Sequence, residues 1–210
     1  MRKWIIALAL FTTPAFAQGT EADPQPAPGS IAIGMIEAAN AQGVFDVVPD
    51  GHVSVRHVGS GLVCHFTDSG EGGRVIVFPQ LARGEDVGCD LNPGAASITL
   101  YATRYPFASN LDEQLAGAEA AIRQRFTDAR PSNVTTAADA NVPQRASAFL
   151  ITTNGAPRFT SVHIAQIGDW TIKQRYTARA ATDTEIAAAS QAATTHFAAT
   201  LADIASPPNL

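Results

Sequence analysis

The chain has 210 residues, 46% of them hydrophobic, with 14 basic and 19 acidic side chains for a formal charge of −5. That length and composition fit one domain able to bury its own core. An acidic balance without a basic cluster argues against nucleic acid or an anionic membrane surface as partner.

Met1 to Ala17 reads as a secretory signal peptide. Arg2 and Lys3 give a basic start, Trp4 to Phe11 form a short apolar run, and Ala15-Phe16-Ala17 is a small-x-small site, with cleavage expected after Ala17. The run falls short of the roughly 20 residues a spanning helix needs, so no stable membrane insertion is expected after cleavage. The mature chain would hold 12 basic and 19 acidic residues, a charge of −7, with Lys173 as its only lysine. The expected address is the periplasm. Gln18 to Ser30 carries three prolines and little to bury, which predicts a disordered linker ahead of a single domain over 31–206, with a disordered tail at 207–210.

Ile31 to Gln42 predicts a short helix capped by Ser30 and closed by Gly43. Val44 to Val48 and Val53 to Val58 flank Pro49-Asp50-Gly51 as a hairpin, and Gly59-Ser60-Gly61 reverses the chain into Leu62 to Phe66. Arg74 to Phe78 and Ile98 to Thr103 complete an antiparallel set. From Asn110 to Phe126, the spacing of Leu111, Leu115, Ala118, Ile122 and Phe126 makes one apolar helical stripe. Residues 127–145 are polar and broken by Pro131 and Pro143; they predict either a small strand at Asn133 to Thr136 or a mobile loop that offers a binding edge.

Ala146 to Thr153, Arg158 to Ile167 and Trp170 to Ala178 predict a three-stranded meander, turned at Asn154-Gly155 and Gly168-Asp169. On its third strand Trp170, Ile172 and Tyr176 alternate with Thr171, Lys173, Arg175 and Thr177, so the second set is expected on a solvated face. Thr182 to Ile204 predicts a last helix, opened by a Thr182/Glu185 capping box. Strands in runs with helices between and after them imply an α+β fold: an antiparallel sheet with helices packed on one side and one disulfide.

Cys64 and Cys89 are the only cysteines, and in an exported chain two cysteines pair with each other. A loop of that size contributes about 3.5 kcal/mol in the chain-entropy model. His65 neighbours Cys64 but points to the opposite side of a strand, so it is badly placed to activate it. His52, His57 and His65, with Asp46, Asp50 and Asp68 nearby, match no zinc spacing, and no metal or cofactor is expected. Nucleophile elbows, phosphate loops and His-Glu-x-x-His are all missing, so no catalytic residue is assigned.

Three readings stay open. The favoured one is a non-catalytic periplasmic binding or accessory module for a protein, peptide or small apolar ligand, using Lys173 and Arg175 or the 127–145 loop. The second is a metal-dependent or hydrolytic enzyme built on the His52/His57/His65 region. The third is an envelope assembly protein.

Ser60-Gly61-Leu62-Val63-Cys64 and Asp86-Val87-Gly88-Cys89, followed by Ile98 to Tyr101, resemble paired Ser-Gly-x-x-Cys and Asp-Val-x-Cys segments in a group of uncharacterised exported proteins of Gram-negative bacteria. The resemblance extends to Gly168 through Lys173 and the last helix. It implies a periplasmic address and a disulfide, and no activity. In architecture alone, the order of sheet and helices is similar to small periplasmic or thylakoid-lumen binding modules of the PsbP type.

Overall fold

The computed structural model describes residues 26–206 except 93, 108–109 and 138–140. The expected signal segment, most of the expected linker and the tail lie outside the described residues.

The α+β class holds, but the strands divide into two sheets where one antiparallel set was expected. Strands β1 (Phe45–Val47), β2 (Ser54–His57) and β3 (Val63–His65) form a small meander. The remaining strands are β4 (Arg74–Val77), β5 (Asp86–Leu91), β6 (Ala96–Thr103), β7 (Arg130–Ser132), β8 (Gln144–Thr153), β9 (Ala156–Ile167) and β10 (Trp170–Arg179). They build a seven-stranded sheet ordered β4-β5-β6-β10-β9-β8-β7. Its pairings are all antiparallel. The Cys64–Cys89 disulfide joins β3 to β5 and so staples the small sheet to the large one.

Strand β5 is absent from the sequence reading because Asp86, Gly88 and Asp90 are poor strand formers. Tertiary context overrides that preference. Asp86 accepts from the Thr103 hydroxyl at 2.8 Å, and Asp90 accepts from Thr99 at 2.7 Å and pairs with Arg74 at 2.6 Å. Gly88 is required by close approach: a Cβ there would sit 2.6 Å from the Leu100 carbonyl oxygen.

Three helices are described. Helix α1 (Pro28–Ala38) opens three residues before the expected domain start. Ser30 is not its cap; Ala27 holds that position without a side-chain bond, and Pro28 supplies the pre-set φ of a first helical residue. The helix also stops earlier than predicted, with Asn40 taking the positive φ of 50° at its exit. In α2 (Leu111–Arg125) the Asn110 side chain caps the Asp112 amide at 2.8 Å. The predicted stripe packs as expected, with Leu111 and Ile122 buried and Leu115, Ala118 and Phe126 partly so. Helix α3 (Asp183–Ala205) opens on the full Thr182/Glu185 capping box.

The helices divide between both faces of the large sheet rather than gathering on one. On the inner face α3 lays Ala189, Ala193 and Phe197 into a core with Ile98, Leu100, Ile172 and Tyr176, which also takes Ala32 and Ile36 of α1 and residues of the small sheet. On the outer face α2 packs mainly on β8 and β9, through Phe149, Ile151, Val162 and Ile164, and reaches β10 at Thr171. Among the described residues α2 reaches only the edge of β10 and β6, where Lys173, Arg175 and Tyr101 lie beside it.

The 127–145 segment contains a strand, but at Arg130–Ser132 rather than 133–136, paired to β8. Beyond it the chain is tied down: Asn133 and Thr135 carbonyls accept from Ser190 and Thr194 of α3 at 3.1 and 3.0 Å, and His163 Nε2 donates to Thr135 at 3.2 Å.

Candidate functional site

Strand alternation sets the outer face. In register, Arg74 of β4, Asp90 of β5, Thr99 of β6, Arg175 of β10 and Val162 of β9 form one row across the sheet. The neighbouring row is Gly88, Tyr101, Lys173 and Ile164. Both rows run from the uncovered strands to the edge of α2, so Lys173 and Arg175 stand where the helix stops covering the sheet.

The expectation of a solvated face for Thr171, Lys173, Arg175 and Thr177 is therefore corrected. Thr171 is buried, taking a bond from the Gln114 amide of the outer layer at 3.1 Å and donating to Gln166 at 3.1 Å. The other three are half-buried. The Lys173 ammonium lies 4.4 Å from the centre of the Tyr101 ring, which in turn stacks on Phe78. Arg175 lies 6.0 Å from the Phe126 ring at the end of α2. Burial pushes the Lys173 pKa down, and burial followed by repulsion from Arg125 does the same to Arg175. Burial also raises the Tyr101 phenol. Among the described residues neither cation has a carboxylate at ion-pair distance.

Two adjoining hollows open here. One, of ≈ 250 Å³, has Tyr101, Lys173 and Arg175 on its floor and Ala118, Ala121, Ile122 and Arg125 of α2 as its wall. The other, of ≈ 620 Å³, continues past the helix end over Arg175, with Phe126, Ile151 and Arg158 on one side and Asp90, Thr99 and Arg74 on the other. Arg175 and Arg125 line both. The result is a trough with a cationic and hydroxyl-rich floor and an apolar wall. It can hold a ligand by ionic and hydrogen-bonding groups while covering part of it with Phe126 and Ile151.

The histidines do not converge. His57 is buried between Phe45 and Trp170, with ring centres 5.3 and 5.1 Å away. Its Nδ1 accepts from Ser60 Oγ at 2.8 Å, and burial holds its pKa down to about 4. Ser60 also accepts from the Leu62 amide at 3.2 Å, so this Ser–His pair locks a turn inside the protein. Sequence spacing did not bring out this close nucleophile–base contact, and its burial explains it structurally.

His65 is exposed. Its Nδ1 lies 2.9 Å from Ser54 Oγ and its Nε2 lies 3.2 Å from Asp203 of α3. The pattern has the residue types of a hydrolytic triad, but Ser54 is completely buried, so no substrate carbonyl can reach its oxygen. His52 lies beside Asp68 at 4.0 Å, and Asp50, which accepts from the His52 amide at 2.8 Å, lies 3.8 Å from His65 Nδ1. Among the described residues no group of three or more His, Cys, Asp or Glu side chains is placed to hold a metal. His196 and His163 face the inner core: His196 Nδ1 donates to Gln174 at 2.7 Å, and burial lowers both imidazoles, His163 to about 4.

A separate crevice of ≈ 350 Å³ runs along the end of α3, lined by Val142, Ile167, Leu201 and Ile204. It is apolar, and among the described residues no charged group lines it to orient a ligand. No described helix is long and apolar enough to cross a membrane.

No family model matches the chain, and no curated protein matches it. Among solved structures the chain is similar to LpqN, which is involved in cell envelope biogenesis of Mycobacterium tuberculosis. The identity is 11% and the TM-score 0.37, over 59% of this chain and 82% of that one. That degree of likeness assigns no function.

Proposed function

We propose that the protein is an exported, non-catalytic binding or accessory module whose ligand seat is the outer-face trough beside α2, with Lys173 and Arg175 on its floor. One observation carries this reading: two half-buried cations line an open trough, and among the described residues neither has a carboxylate at ion-pair distance. Partial burial of an unpaired charge is unfavourable, and a fold with no use for these groups gains little by keeping them there. The signal-like start and the disulfide support an oxidising compartment outside the cytoplasm, the periplasm in a Gram-negative cell.

The test is a fragment screen by NMR on the mature chain, with neutral, cationic and anionic members. Shifts concentrated on Tyr101, Phe126, Lys173, Arg175 and Thr177 are the expected result. Hits that cluster instead at the α3 crevice or around His65, or no hits at all, would remove the trough as the seat.

A further inference from the structure

We infer that the trough takes a phosphate group carried on an apolar or aromatic body, held by Arg125, Arg158 and Arg175. The inference deepens the proposed function and rests on the trough being the ligand seat.

Three elements bring these arginines together. Arg125 is the last residue of α2, Arg158 lies near the start of β9, and Arg175 lies in the middle of β10. Arg125 and Arg175 flank one ring, their guanidinium carbons 5.3 and 6.0 Å from the centre of Phe126. Arg158 enters from the adjoining strand beside Ile151, its register partner on β8. Among the described residues none of the three has a carboxylate at ion-pair distance. What sets these three apart is that they line one hollow, in a chain with more acidic than basic residues.

Three other arginines are neutralised by carboxylates. Arg74 pairs with Asp90 at 2.6 Å, Arg104 with Asp169 at 3.4 Å, and Arg145 with Asp112. Asp90 is the carboxylate in the trough, and Arg74 and Thr99 already occupy its two oxygens, which mutes its repulsion of an incoming anion. Guanidinium forks match carboxylates and phosphates alike. Three forks lining one hollow with the Ser97 and Thr177 hydroxyls suit the larger number of acceptor oxygens on a phosphate. Phe126 and Ile151 supply the apolar wall for whatever carries it.

Phenyl phosphate, inorganic phosphate and neutral benzyl alcohol are the soluble probes, read by NMR shift mapping and calorimetry on the mature protein. Phenyl phosphate is expected to bind most tightly, to shift Phe126 and Thr177, and to weaken as salt rises. Arg158→Gln and Arg175→Gln should each weaken it by about tenfold or more, while Arg104→Gln, at a neutralised arginine, should leave it unchanged. Circular dichroism and melting curves check that each variant is folded. Sedimentation with phosphatidylcholine vesicles, with and without phosphatidylglycerol, separates the sources of the group. Co-sedimentation with the anionic vesicles alone assigns it to a lipid headgroup; retention in the supernatant with phenyl phosphate still bound assigns it to a soluble ester. Unchanged affinity in both arginine variants, or equal binding of benzyl alcohol, overturns the inference. Benzyl alcohol shifting the trough while phosphates do not would keep the ligand seat and discard the anion. Silence from all three probes, with fragments binding elsewhere, would discard both.

Discussion

The two faces of the large sheet treat buried polar groups in opposite ways. On the inner face Gln174 is fully buried, and its amide is used at both ends: Nε2 donates to Ala193 O at 2.8 Å and Oε1 accepts from His196 at 2.7 Å. The neutral imidazoles there are kept neutral by the same burial. On the outer face Lys173 and Arg175 are half-buried, face a trough, and lean on aromatic rings rather than on carboxylates. Gln174 and His196 therefore belong to the fold. The outer cations lie open in the trough, as the proposed ligand seat requires.

That contrast is sharpened first by core truncation. Phe197, fully buried and packed on His163 with ring centres 5.3 Å apart, should lose about 3–5 kcal/mol of stability on Phe197→Ala in urea unfolding. A loss under about 1 kcal/mol would show that α3 does not anchor the inner face. Removing the staple with Cys64→Ser and Cys89→Ser together should come next, at about 3.5 kcal/mol in the loop-entropy model. Unchanged stability in that double variant would contradict its role in holding the small sheet to the large one.

Acid is the third lever. His57 and His163 are held down to about 4 in the folded state, against 6.5 as the ordinary value. Above pH 6.5 both are neutral in either state and their full stability is present. Below it the unfolded chain takes up protons first, so stability falls as pH drops from 6.5 towards 4, by up to about 3 kcal/mol per residue. Urea midpoints at pH 7 and pH 4.5 should show the drop, and His163→Gln should shrink it. A flat profile would mean that neither imidazole is shielded.

How far the sequence could anticipate these faces depended on what each residue needed to know. Periodicity marked α2, α3 and the last three strands, because Leu111 to Phe126 and Trp170 to Ala178 carry their burial pattern locally. It could not mark β5, whose Asp86 and Asp90 are made acceptable only by Thr103, Thr99 and Arg74 on neighbouring strands. Nor could it show that α2 crosses to the outer face, which turned an expected open strand surface into the floor of a trough. Lys173 and Arg175 were visible as candidates by alternation alone. Arg125 and Arg158 were not, because they reach the trough from a helix end and an adjoining strand.

The smallest expected effect is the most telling. Arg175 gains no ion pair among the described residues and is opposed by Arg125, so removing its charge should not weaken the fold. The decisive measurement is the urea-unfolding midpoint at pH 7 of the Arg158→Gln/Arg175→Gln double variant beside the wild-type chain. A midpoint equal to or above wild type is predicted, since these cations serve the trough rather than the core. A loss approaching that of Phe197→Ala would contradict the account, making the outer arginines structural like the polar groups of the inner face.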